Sequence, residues 1–470
     1  MRRWVAIWAL AVLAGAGTAH ARRHGHRARH GVHALSQPGP SEAEVRATLD
    51  ALRNGDPRLC TLAVDRLSQG GNWSWDLNRQ RLAGEEALPV PGRGPVKGPE
   101  VIGVLGDALG DPRPCARRAA AIWLGDSPAP EALTRLTTAL RSPAPATREA
   151  AAFGLGVHGE GAARDALLGA LRDETPSVVV AATWALGRSQ DPRNTPALKG
   201  VLGHANAGVR RAAAEALGSS EDLAAVDALV TRRQDPDAGV RAAVAEALGD
   251  IEDRRAVPAL LGLATDKNTE VRTSALQALA RMEDPAALDA AKKALADPIP
   301  EVRLAALQTL ASIEDTRALP ALSTALADSV PEIRAEAAQA LGRLEDARAA
   351  PALSRAAKDP VADVRVAAVE ALGELEGLGT APPALLDASR DAVADVRTAA
   401  AEALRSYARD DAAGKRLTAM VKDENRSVRR AATESLVHLE SPEARAALRA
   451  ALGDADSEVR KAAARGLGRD

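Results

Sequence analysis

Apolar and polar positions follow a long register down this chain. Residues 235–250 read DPDAGVRAAVAEALGD: an acid, a turn, Val-Arg, a run of alanines and a Leu-Gly pair. The arginine slot returns as Arg117, Arg148, Val179, Arg210, Arg241, Arg272, Arg303, Arg334, Arg365, Arg397, Arg429 and Arg460, at spacings of 31 residues, or 32 before Arg397 and Arg429. Six residues before the anchor most copies carry an acid, among them Asp235, Asp266, Asp297, Asp328 and Asp359, and seven residues after it stands a leucine. A fixed period of this size marks a solenoid of stacked units. Each copy predicts two helices. Around Arg272, Asp253 caps a first helix that runs to about Ala264, Asp266 to Thr269 turn, and Glu270 to Arg281 form the second. Asp191-Pro192 and Asp284-Pro285 mark helix starts. Gly218, Gly249, Gly342 and Gly373, one past the leucine, are expected to end helices. Ser41 with Glu44 forms a capping box that opens the array.

The register fails once. Between a degenerate first anchor at Leu62 and Arg117 lie 55 residues, and the surplus falls in 69–98, a Gly- and Pro-rich insertion read as a loop. Residues 1–21 combine Arg2 and Arg3, an apolar run from Trp4 to Ala16, and Ala19-His20-Ala21, the pattern of a secretory signal peptide cleaved after Ala21. Residues 22–40, basic and His-rich, read as a flexible linker. The array then occupies 41–470, and no later stretch has the length and apolarity to span a membrane.

The anchor arginine, the turn aspartate six residues before it, and a proline eight residues before that aspartate slot (Pro196, Pro258, Pro320, Pro351) resemble HEAT repeats, in the short form recognised in phycobilisome lyases. The resemblance covers about 41–470. It implies an all-α fold, a right-handed α-solenoid of about 12–13 two-helix repeats, with second helices on the concave face. It also implies ladders of hydrogen bonds between repeats, formed by Asp235, Arg241, Asp266, Arg272, Asp297, Arg303, Asp328, Arg334, Asp359 and Arg365. Lyases of this type act on bilins inside cells, whereas this chain carries an export leader. HEAT-like iron hydroxylases use His-Glu ligands, and no His-Glu pair occurs here. Family likeness implies a fold and a binding habit rather than an activity.

Composition narrows the function. The formal charge is −2; losing residues 1–21 removes two arginines and no acid, giving −2 − 2 = −4, which argues against a nucleic-acid binder. Beyond the tail and leader the only histidines are His158, His204 and His438, each in a different repeat. No catalytic, cofactor or metal site is expected. The tail histidines His24, His26, His30 and His33 lack fixed geometry for a metal. Cys60 and Cys115, in the matching words DPRLC and DPRPC, read either as a disulfide at the base of the insertion or as two buried thiols.

A stripe five residues past each anchor is the candidate site. It runs Ile122, Phe153, Trp184, Glu215, Glu246, Gln277, Gln308, Gln339, Glu370, Glu402, Glu434 and Arg465, aromatic early and acidic or amide-bearing later. With Trp73, Trp75 and Trp123, the aromatics gather near the insertion. They read as anchors for a partner or as packing of atypical terminal repeats; the acids read as a solvated face or as a surface for a basic partner. The expectation is a monomeric, periplasmic or secreted, non-enzymatic scaffold that binds a protein. Two rivals are a lyase-like protein handling a bilin-like ligand and an envelope carbohydrate binder using the tryptophans.

Overall fold

A computed structural model describes residues 39–54, 95–159, 163–439 and 441–468. The leader, the linker up to residue 38, the anchor at Leu62 and most of the insertion lie outside them. The described chain divides into two compact units, residues 1–220 and 221–470. In the first lie α1 (Glu42–Asn54), α2 (Pro99–Ala108), α3 (Pro114–Gly125), α4 (Pro130–Ala139), α5 (Pro145–His158), α6 (Arg164–Ala170), α7 (Pro176–Arg188), α8 (Thr195–Val201) and α9 (Ala207–Ser219). In the second lie α10 (Val226–Thr231), α11 (Ala238–Ile251), α12 (Val257–Leu263), α13 (Thr269–Met282), α14 (Leu288–Ala294), α15 (Pro300–Ile313), α16 (Leu319–Ala325) and α17 (Pro331–Arg343). It continues through α18 (Ala350–Ala356), α19 (Ala362–Glu374), α20 (Pro383–Ala388), α21 (Ala394–Leu404), α22 (Asp411–Met420), α23 (Arg426–Leu436), α24 (Pro442–Ala451) and α25 (Ser457–Leu467). From α2 onward, even-numbered helices are the first and odd-numbered helices the second of each pair, an all-α solenoid of two-helix repeats. Within each unit the second helices stack on one another in order.

The helix starts follow from local chemistry. Ser41 and Glu44 close the expected capping box, Ser41 N–H donating to Glu44 at 2.7 Å and Glu44 N–H to Ser41 Oγ at 3.3 Å. Each first helix from α12 to α18 opens with a 3₁₀ turn after an aspartate such as Asp253, whose carboxylate accepts the N–H of Arg255 at 2.8 Å. Most second helices start in one of two ways; α19 and α21, after Val361 and Val393, use neither. Pro stands at the start of α3, α5, α7, α15 and α17, whereas Asn206, Asp237, Asn268, Asn425 and Asp456 cap α9, α11, α13, α23 and α25 through the side chain.

The glycine expectation is corrected. Gly249, Gly342 and Gly373 lie inside their helices rather than ending them. A Cβ on Gly373 would stand 2.7 Å from Ala403 Cβ and 2.8 Å from Ala403 Cα on the next second helix. These glycines therefore let successive second helices approach closely. In α11, α13 and α15 the chain turns at Glu252, Glu283 and Glu314, which take left-handed φ of 56°, 48° and 51° just past the helix, whereas α19 ends on extended Leu375.

The predicted ladder is present within unit 2. Arg241 donates through Nε and Nη2 to both oxygens of Asp266, at 2.7 and 2.8 Å, and through Nη1 to the Asp235 carbonyl at 2.8 Å. Arg272–Asp297, Arg303–Asp328, Arg334–Asp359, Arg365–Asp391, Arg397–Asp423 and Arg429–Asp454 repeat the fork. In unit 1 Arg148 makes the same fork with Asp173. Each aspartate also accepts the N–H two residues on, as Asp266 does from Asn268 at 2.8 Å. One carboxylate thus fixes a turn and ties two repeats.

Candidate functional site

The stripe position, five residues past each anchor, is open to solvent on most second helices of both units. Trp184 is 36% exposed, and Glu215, Glu246, Gln277, Gln339, Glu370, Glu402, Glu434 and Arg465 are exposed at the equivalent register. Ile122, 2% exposed, closes the stripe at its early end. Trp123 is corrected: on α3 it is 8% exposed, part of the packed core rather than of the exposed stripe. Trp73 and Trp75 lie outside the described residues.

The stripe builds a groove in unit 1. Residues of α3, α5, α7 and α9 line a cavity of about 760 Å³. In it Phe153 and Trp184 stack with ring centroids 4.7 Å apart and planes 13° from parallel. Arg118 lies over Phe153 at 4.6 Å, and Arg188, one turn past Trp184 on α7, lies over the indole at 5.6 Å. Gly156 makes room for the indole, since a Cβ there would meet Trp184 Cζ3 at 2.6 Å. The aromatic pair was legible in the stripe; the two arginines were not, although Trp184 and Arg188 stand at i, i+4 spacing.

The ladder changes character beside this groove. Ser142 and His204 occupy the turn-acid slot. Both keep the local half of its work: Ser142 Oγ accepts the Ala144 N–H at 3.2 Å, and His204 Nδ1 the Asn206 N–H at 3.0 Å. Neither supplies a carboxylate for a neighbouring arginine. Opposite His204 the anchor is Val179, fully buried. Opposite Ser142 the anchor is still Arg117, which lines the groove and donates Nη1 to the Asp111 carbonyl at 2.6 Å.

The later stripe is acidic. Partial desolvation, then the neighbouring Glu402 and Glu374, raises the Glu370 carboxyl above the usual range although its side chain reaches solvent, and desolvation likewise raises Glu336 and Glu374. Glu246 accepts a hydrogen bond from Ser274 at 2.9 Å. Cys115, buried beside Leu52 and Ala119, is disulfide-bonded; Cys60 lies outside the described residues. His158 touches the Gly125 carbonyl at 3.0 Å and His204 serves its turn, so these rings have structural partners. Among the described residues no cluster of His, Cys, Asp and Glu is placed to hold a metal, and no helix is long and apolar enough to cross a membrane.

Stacked helix pairs and a hydrogen-bonded ladder between repeats define an α-solenoid. HEAT repeats match at residues 135–218, 201–280, 260–333, 322–405 and 408–469, and a PBS lyase HEAT-like repeat at 116–142. The chain belongs to the HEAT-repeat family. No curated protein matches it in sequence. Among solved structures it is similar to Kap121p, at 14% identity and a TM-score of 0.51, over 91% of this chain and 56% of that one. It is also similar to a complex of Kap95p with RanGDP, at 14% identity and a TM-score of 0.52, over 91% and 61%. The complex of CpcE and CpcF of phycocyanin lyase from Nostoc sp. is 24% identical over 52% of this chain and 94% of that one, with a TM-score of 0.33. At 14% identity the likeness to Kap121p and Kap95p is one of fold.

Proposed function

We propose that this protein is an exported, non-enzymatic scaffold that binds a partner protein along its second-helix face. The observation that carries the reading is the stripe: five residues past the anchor, second helix after second helix from α7 to α23 leaves a mostly polar side chain open to solvent or half-buried while its neighbours in sequence are packed. An array covers large concave surfaces cheaply because each repeat needs only its neighbours. Export rests on residues 1–21 and is checked by N-terminal sequencing of the protein recovered from the source organism's envelope; an intact Met1 in that fraction would count against it. The same oxidising setting agrees with a Cys60–Cys115 bridge. Free thiols at both positions, labelled in non-reduced protein, would remove that bridge.

The scaffold test uses the purified protein as bait in envelope extract, beside a Glu246→Lys, Glu370→Lys, Glu402→Lys variant with unchanged circular dichroism. Capture of a defined protein by the first and its loss from the second supports the acidic face as the contact. Equal capture leaves those three acids as solvated surface.

A further inference from the structure

We infer that the groove of unit 1 receives an acidic, extended segment of the partner protein, held by Arg117, Arg118 and Arg188 around the Phe153–Trp184 stack. The inference rests on the protein-binding reading above and assigns the chemistry of one of its contacts.

Ring geometry excludes several ligands. The stack is a four-member column, Arg118, Phe153, Trp184, Arg188, with a guanidinium over each outer ring face. A sugar or a cationic side chain would need a free ring face, and each is already taken by a partner in the column. What remains for a ligand is the ring edges, which carry the positive end of the aromatic quadrupole, and the guanidinium N–H groups. Both call for an anion.

Arg117 names the anion. In eight equivalent arginines, from Arg148 to Arg429, Nε and Nη2 grip the carboxylate of the next repeat's aspartate, as Arg148 does with Asp173 at 2.7 and 2.8 Å. At Arg117 the next slot is Ser142, and among the described residues the fork carries no ion pair while its Nη1 is anchored as in the other repeats. The protein thus shows what this fork binds and leaves it open to the groove. Planar, bidentate pairing of this kind favours carboxylate. Opposing charge is limited: among the lining acids Glu215 is paired with Arg211 at 3.0 Å and Glu149 has no ion pair among the described residues, while Asp126, outside the lining, lies within electrostatic reach of Arg188. The lining crosses four second helices, three spacings of roughly 10 Å each. That span suits about nine residues of extended chain at 3.3 Å apiece, more than a compact free acid would fill.

The probe is a fluorescein-labelled peptide of about ten residues, carrying four glutamates, with a glutamine twin, titrated into the full chain and followed by anisotropy. The glutamate peptide is expected to bind with Kd below roughly 1 mM. Affinity should fall about tenfold or more for the glutamine twin, and likewise for an Arg118→Ala, Arg188→Ala variant and for Arg117→Ala, and should weaken as salt rises. Arg118 and Arg188 are exposed, so their variant should keep its circular dichroism. Equal affinity for both peptides, binding indifferent to the arginines, or no binding at that concentration overturns the inference. The envelope capture separates it from the broader reading: a partner lost only from the glutamate-to-lysine variant defeats the groove and spares the scaffold. No partner for any variant defeats the scaffold itself.

Discussion

At Arg241 one guanidinium does two jobs. It grips Asp266 across to the next repeat and holds the carbonyl that opens its own turn, while only 6% exposed. Removing one member of such a pair strands a buried charge, whereas losing both is far cheaper. Arg241→Ala should therefore lower the unfolding free energy by about 3 kcal/mol, read from urea denaturation. Arg317→Ala, which breaks an exposed pair with Asp315, should leave the midpoint where it was. Unit 1 carries the cheap case: Val179 and His204 lack both members of one rung, and His204 Nδ1 still serves the turn. Val179→Arg alone should destabilise, because the new charge finds no acid. Added to His204→Asp it should recover, with a coupling energy of about 1 kcal/mol or more in the double-mutant cycle. Additive single effects would show that the slot no longer accepts a rung.

Helices are where sequence and structure part most usefully. Register, two helices per repeat, the Asp caps and the Arg–Asp ladder were all legible, because each depends on neighbours at fixed sequence distance. The role of Gly373 was not, since its reason is Ala403 on another helix, 2.7 Å from where a Cβ would stand. Termination by Glu252 and Glu283 was hidden because left-handed φ favours glycine and the glutamates follow from position alone. The groove was half legible: Phe153 and Trp184 fell on the stripe, but Arg118 joins them only through the packing of α3 on α5. Helix propensity alone says that Gly→Ala stabilises by roughly 0.5–1 kcal/mol. Gly262, in α12 with nothing within 4 Å of its Cβ position, should follow that rule. Gly373→Ala should do the reverse, losing about 1–3 kcal/mol as the second helices are pushed apart. Thermal melts of the two variants decide it; a stabilised Gly373→Ala would mean the contact is slack.

Across the whole molecule, two carboxylate populations pull stability in opposite directions with pH. Arginine hydrogen bonds hold Asp173, Asp266, Asp359 and Asp454 below the ordinary aspartate value of 3.8. A lowered pKa means that the unfolded chain takes up protons first, so this stabilisation is complete above the unfolded value and is lost as pH falls through the folded one. Glu336, Glu370 and Glu374 are the other sign, raised by desolvation above 4.5. Here the folded chain takes up protons first, and stability rises as pH descends from neutrality through the raised values. The ladder acids bind protons only after the raised glutamates have done so. Stability should therefore climb gently from pH 7, peak on the mildly acid side, and fall steeply once the pH drops below about 4. Urea midpoints across that range measure it. Glu336→Gln, Glu370→Gln, Glu374→Gln should flatten the climb without moving the acid collapse, and a wild-type midpoint that only declines from pH 7 to pH 4 would show that these glutamates are solvated enough to titrate as ordinary surface acids.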